Sequence, residues 1–334
     1  MNDLVRLAAV RPDRDSERLA LLPRRRPGRW IPSAGEERRQ AFDQPRMQTN
    51  FEPATTPRKP KDEEIDVYGI SHRGAVRAEN QDHFLLATIN KRLHVLSTSL
   101  VEQRHLPEDE RVAFIAMVAD GVGGGVGGER ASATALEIAT RYLVTSTDCY
   151  YRADATEETF IDVLQDAALT CHSAVREKAR VEAEGRSMAT TLTLWVGVWP
   201  WYYLLQVGDS RYYLYREGSL MQVSRDQTLA QDMVDRGVFT RSMAEKSQFS
   251  SVLSSSIGGE TSMPVVTRMR ADWNNVHLLC TDGLTRHVSD EQIRDRLANM
   301  TSSKQVCEQL LQDALDGGGS DNITIVVGRA VPQS

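Results

Sequence analysis

No stretch of this 334-residue chain comes near the ~20 consecutive apolar residues that span a bilayer. The short apolar runs near its start, Ala8-Ala9-Val10 and Leu19 to Leu22, are too brief and interrupted to act as the apolar region of a secretory signal. Cysteine is scarce too. Cys149, Cys171, Cys280 and Cys307 lie far apart with no Cys-x-x-Cys pair, which argues against a disulfide scaffold or zinc ribbon and suits free thiols in a reducing compartment. The seven histidines show no ligand spacing, and no glycine-rich loop ends in the lysine of a P-loop. A cytoplasmic protein that does not enter a membrane is expected.

Positive charge is also missing from most of the chain. Residues 1–60 carry 13 Lys+Arg against 8 Asp+Glu, a balance of +5; the rest holds 27 against 38, or −11. An acidic body of this kind offers no footprint for nucleic acid. The first 60 residues also contain eight of the 12 prolines and no apolar periodicity. Residues 1–62 are therefore expected to form a disordered basic segment, with Arg24-Arg25-Arg26 as a solvated patch. A folded domain is expected over 63–331, long enough to bury a large core.

That domain is organised around Phe114 to Glu129. A six-residue apolar run ends at Asp120, a glycine loop follows, and Arg130 to Val144 reads as a helix. A carboxylate at the mouth of a buried strand is costly unless it meets a cation. Before this stretch, Asp66 to Ser71 reads as a strand, and Phe84 to Ile89 with Leu93 to Ser97 as a hairpin. After it, a helix is expected from about Glu157 to Ala183. Strands follow over Thr190–Val198, Trp201–Val207, Tyr212–Arg216 and Leu220–Val223, closely spaced as in antiparallel pairing. Short helices over 229–236 and 241–246, strands over 265–269 and 276–280, helices over 290–298 and 304–315 and a final strand over 323–327 complete the chain. This order is α+β rather than regular βαβ.

The aspartates share one local grammar. Asp120, Asp209 and Asp282 each end an apolar run, Asp321 begins one, and Asp82 leads directly into a strand. One Asp-Gly at a strand end is ordinarily a turn; several in one chain ask for a common cause. If the strand mouths converge, the carboxylates repel one another unless cations neutralise them. Oxygen ligands without His or Cys select Mg²⁺ or Mn²⁺. Two such ions roughly 3.5–4 Å apart acidify a water between them and clamp an in-line phosphoryl displacement. Arg77 is placed to offer the phosphate a bidentate fork.

Arg77-Ala78-Glu79-Asn80-Gln81-Asp82, Asp120-Gly121-Val122-Gly123-Gly124, Ala189-Thr190-Thr191, Gly208-Asp209-Ser210-Arg211, Thr281-Asp282-Gly283-Leu284 and Asp321-Asn322 resemble, in order and spacing, the metal-dependent protein phosphatases of the 2C type over about residues 65–329. The resemblance implies a four-layer αββα sandwich of two antiparallel β-sheets flanked by helix pairs. It implies hydrolysis of phosphoserine and phosphothreonine with two Mn²⁺ or Mg²⁺ ions. Phosphoproteins made by a serine/threonine kinase would be the substrates of a monomeric enzyme. Matched residue by residue, Asp120 bridges the ions and Gly121 lends its backbone carbonyl. Asp282 and Asp321 hold the other metal, Asp82 holds water in the centre, and Arg77 binds phosphate. Asp209 is given a supporting role by the same comparison.

Departures from the family pattern qualify these expectations. Gln81 stands where many members carry Glu, which removes a charge and predicts weaker binding of the second ion. Val122 replaces the histidine that animal members offer as general acid. Ala189 replaces a glycine, and the acid expected upstream for a third ion has no match, Arg186 being nearest and Glu184 displaced. Residues 225–262 take the place of the mobile flap over the cleft, where substrate choice is expected to reside. Two other readings compete. Gly123 to Gly128 satisfies Gly-x-Gly-x-x-Gly, with Asp148 roughly 20 residues on, but a dinucleotide site leaves Asp282 and Asp321 unexplained. A catalytically inactive phosphatase-fold scaffold is the second; the presence of Asp120, Asp282 and Asp321 argues against it.

Overall fold

The computed structural model of the protein describes residues 58–92, 110–123, 126–146, 156–182 and 188–332. The expected disordered segment up to residue 57, the strand over 93–97, Asp148, Glu184 and Arg186 lie outside the described residues. The strands are β1 (Ile65–His72), β2 (Asp82–Lys91), β3 (Glu110–Val122), β4 (Ala189–Thr190), β5 (Leu192–Val198), β6 (Trp201–Val207), β7 (Arg211–Arg216), β8 (Ser219–Gln222), β9 (Val265–Arg270), β10 (Val276–Cys280) and β11 (Ile323–Ala330). The helices are α1 (Val126–Thr145), α2 (Glu157–Glu182), α3 (Leu229–Asp235), α4 (Arg241–Glu245), α5 (Asp282–Thr285), α6 (Asp290–Ala298) and α7 (Ser303–Asp316).

All strand pairings are antiparallel, in two sheets ordered β1-β11-β10-β7-β8 and β2-β3-β5-β6-β9, with β4 added to β3. The alternation of β3 shows how the layers stack. Ala113, Ile115, Met117 and Ala119 pack with α1 and α2, through Ala135, Ala139, Leu164, Ala168 and Cys171. Ala116 and Val118 point the other way, onto Leu279 and Val326 of the second sheet. That sheet buries Leu278, Cys280, Ile323 and Ile325 under α6 and α7, against Ile293, Val306 and Leu310. Successive side chains on a strand face opposite ways, so a strand apolar on both faces belongs between two layers. The expected αββα sandwich is the observed fold.

Three local differences have physical causes. The described fold takes in residues 58–62, which the sequence reading places in the N-terminal segment. Arg58 stacks on Trp273 at 4.7 Å, the Trp273 indole N–H donates to the Arg58 carbonyl at 2.8 Å, and Arg111 binds the Pro60 carbonyl at 2.5 Å. Strand β3 runs past Asp120 because Gly121 and Val122 pair with Thr190 and Ala189. Helix α1 begins at Val126 rather than Arg130, drawing Gly128 into its first turn. A Cβ at that glycine would stand 2.6 Å from the Gln81 side-chain oxygen.

The segment between β8 and β9 carries α3 and α4, capped by Thr228 and Thr240. It is pinned beside the site by reciprocal backbone bonds between Thr190 and Ile257, at 2.9 and 2.8 Å. Val238 and Met243 stay exposed on it. Met117, fully buried in β3, tests the central layer. Met117→Ala should lower the unfolding free energy in urea by about 2–5 kcal/mol with the denaturant slope unchanged.

Candidate active site

Antiparallel pairing collects the aspartates. In one sheet Asp82, the first residue of β2, lies opposite Asp120 near the end of β3. In the other, Cys280 at the end of β10 pairs with both Ile325 of β11 and Arg211 of β7. Asp282 leaving β10, Asp321 entering β11 and Asp209 entering β7 therefore share one sheet end. The two sheet ends meet at Asp82, whose Oδ2 accepts hydrogen bonds from Thr281 Oγ1 (2.8 Å) and Thr324 Oγ1 (2.9 Å) of the opposite sheet. Carboxylates spread over 240 positions of the chain thus gather where the two sheet ends meet.

Each is held by its own supports. The Asp120 carbonyl accepts from the Thr191 N–H (2.9 Å) and Thr190 Oγ1 (2.8 Å), and its N–H donates to Thr191 Oγ1 (2.9 Å). This is why the chain breaks between β4 and β5 at Thr191, where the sequence suggests one unbroken strand. Asp282 opens α5, and Gly283 is required next to it because a Cβ there would fall 1.9 Å from the Asn322 carbonyl oxygen. The Asn322 amide donates to the carbonyls of Arg73 (2.9 Å) and Glu79 (2.8 Å), while its oxygen accepts from the Gln81 N–H (2.9 Å). That one side chain ties the Arg77–Asp82 loop to Asp321.

Two arginines reach the acids. Arg77, 54% exposed at the rim, donates to Asp321 Oδ2 at 2.8 Å. Arg286 binds Asp282 Oδ2 and lies 3.1 Å from the same Asp321 oxygen. Positive charge does not satisfy the whole cluster: buried Asp82 Oδ1 and Asp282 Oδ1 have no hydrogen-bond partner. Burial pushes Asp82 up to about 7, against the pull of Thr281 and Thr324, with Asp282 and Asp321 adding to the rise. Asp209 is driven to about 8 by burial and by the nearby Asp282 and Asp226. Asp120 rises well above the ordinary carboxylate range through burial and the charges of Asp82, Asp282, Asp209 and Asp321. Burial also raises Asp282, against the opposing charge of Arg286.

Among the described residues no three His, Cys, Asp or Glu side chains stand as a ready-made metal cage. The threonines hold Asp82, and the arginines hold Asp282 and Asp321. The donor set still fits a hard divalent ion. It is all oxygen, it is largely shielded from solvent, and two of its buried carboxylate oxygens lack a partner.

A family model for protein phosphatase 2C matches residues 104–317, nearly two thirds of the sequence. The chain belongs to the protein phosphatase 2C family. That match contains Asp120, Asp209 and Asp282, so Arg77, Asp82 and Asp321 join the site through the geometry above. Over 219 residues, 66% of the chain, it is 32% identical to the serine/threonine protein phosphatase PstP of Mycobacterium tuberculosis, of whose length it spans 41%. Over 234 residues it is 28% identical to the serine/threonine phosphatase stp of Listeria welshimeri, covering 67% of this chain and 90% of that protein. A crystal structure of the catalytic domain of PstP in complex with two manganese ions superposes with a TM-score of 0.62 at 29% identity, over 80% of this chain and 99% of the other.

In this 2C-family member Arg286 and Thr324 lie outside the sequence motifs, and Thr281 belongs to one, Thr281-Asp282-Gly283-Leu284, without a role of its own. A threonine inside the apolar run Ile323–Val327 was a legible hint, since a buried hydroxyl needs a partner. Arg286, four residues after an aspartate that opens a helix, was another.

An acid whose folded-state pKa lies above its unfolded value of about 3.9 binds more protons folded than unfolded, so stability falls as pH rises through the folded value. For Asp82 at about 7 and Asp209 at about 8 that loss builds up from roughly pH 4 and is complete a little above pH 7 and pH 8 respectively. The metal-free protein should melt at a lower temperature at pH 8.5 than at pH 6, and Mn²⁺ should raise the melting temperature more at the higher pH. Scanning fluorimetry after chelator treatment measures both.

Proposed function

We propose that the chain hydrolyses phosphoserine and phosphothreonine on proteins, with two Mn²⁺ or Mg²⁺ ions, reversing a serine/threonine kinase in the cytoplasm as a monomer. The observation that carries this reading is the convergence of five aspartates from two sheets on one pocket, with two buried carboxylate oxygens lacking a partner. The manganese pair in the catalytic domain of PstP supports the same assignment. No helix among the described residues is long and apolar enough to cross a membrane.

In this reading Asp120, the Gly121 carbonyl, Asp282 and Asp321 hold the ions, which when bound supply charge neutralisation and an acidified water. Thr281 and Thr324 fix Asp82 through Oδ2, which leaves the buried, unpartnered Oδ1 to orient the attacking water and accept its proton. Arg77 sits at the rim with its planar fork half exposed, suited to two equatorial oxygens of an incoming phosphate. Val122, 40% exposed beside Asp120, offers no proton, so the leaving serine or threonine alkoxide takes one from solvent. Substrates with acidic leaving groups such as aryl phosphates should therefore turn over faster than alkyl ones.

Asp282→Asn should reduce manganese-dependent hydrolysis of p-nitrophenyl phosphate by at least ~100-fold with an unchanged circular dichroism spectrum. Full activity in that variant ends the assignment. A folded wild-type chain with no manganese-dependent turnover would instead favour the scaffold reading. Arg77→Ala should raise KM for a phosphopeptide about ten-fold or more with a smaller change in kcat, because a charge-assisted double hydrogen bond is lost. An unchanged KM would remove Arg77 from the site.

A further inference from the structure

Arg286 bridges Asp282 and Asp321, two of the acids read above as metal ligands. It follows the single turn of α5, and its backbone N–H closes on the Asp282 carbonyl at 2.9 Å. One guanidinium nitrogen bonds Asp282 Oδ2 and the other lies 3.1 Å from Asp321 Oδ2. The same charge also bears on buried Asp209. An Asp–Arg pair four residues apart on a helix is ordinarily a minor surface feature. The second contact sets this one apart: Asp321 is 35 positions further along the chain, and both acids belong to the repelling cluster.

Resting on the reading of this pocket as a metal centre, we infer that Arg286 is an internal cation that competes with the divalent ion for Asp282 and Asp321 and so sets the metal affinity of the site. Asp321 has little to spare for both. Its Oδ1 accepts from the Asn322 N–H at 2.9 Å, and its Oδ2 already receives Arg77 and Arg286. Asp282 keeps only Oδ1 without a partner. An ion can reach Asp282 through Oδ1, but the guanidinium sits on the Oδ2 atoms of both acids and its charge opposes a second cation there, and Arg286, 38% exposed, has open solvent into which it can swing. With no ion bound, the guanidinium keeps the two acids assembled. The protein is thereby stable without metal, and the affinity of the metal site is lowered.

The two effects have opposite signs in a variant without the charge. Isothermal titration of Mn²⁺ into the chelator-treated, dialysed full chain should give a Kd at least ~10-fold lower for Arg286→Ala than for wild type. The metal-free variant should melt below wild type, and saturating Mn²⁺ should close that gap. A merely structural arginine would lower the melting temperature and leave the Kd equal or weaker, which overturns the inference. If Arg286→Ala does not fold without metal, Arg286→Gln keeps hydrogen-bonding capacity without the charge and should show the same tightening. An unchanged Kd there is equally decisive against it. A wild-type chain that takes up no Mn²⁺ overturns the metal-centre reading and this inference together; equal affinities overturn only the latter.

Discussion

Five wholly or partly buried carboxylates within reach of one another dominate the physics of this protein. Burial makes Asp82, Asp120, Asp209 and Asp282 reluctant to ionise, and their acidic neighbours add to it. Such a cluster stays together through protons, through the guanidinium groups of Arg77 and Arg286, or through divalent ions. The three are interchangeable electrostatically but differ chemically, since only the ions also acidify a water.

Everything around the pocket resists that repulsion. The sandwich anchors both sheet ends through apolar cores on either side of β3 and β10, so the strand mouths cannot drift apart without opening those cores. Small polar side chains then fix individual acids: Thr190 and Thr191 grip the Asp120 backbone, Thr281 and Thr324 grip Asp82, and Asn322 laces the Arg77 loop to Asp321. Supports of this kind orient ligand atoms before any ion arrives, as hydrogen-bonded outer partners do in metal sites generally.

The arginines divide between the two sides of the chemistry. Arg77 is half exposed and holds Asp321 alone, while Arg286 grips two acids of the cluster. The segment carrying α3 and α4 is stapled to β4 at Ile257, one residue from the backbone that supports Asp120. It leaves Val238 and Met243 exposed.

Much of the fold was legible residue by residue. Asp290–Ala298 and Val276–Cys280 have the bounds their periodicity announced, and the strand over 114–119 could only lie between layers, being apolar on both faces. The aspartates were legible too, because a carboxylate at a strand mouth stands out against an apolar run. The threonines were harder to see, since Thr281 and Thr324 gain meaning only from Asp82, some 199 and 242 positions away. Arg286 looked like half of a local helix pair until Asp321 arrived on its other side. The sequence by itself determined which segments are strands and helices, and which acids end them, because both are written in local periodicity. Only the tertiary structure decided which acids share a pocket, what satisfies each oxygen and where the competing cation sits, because pairing register and sheet packing bring together groups whose separation along the chain carries no trace of their distance in space.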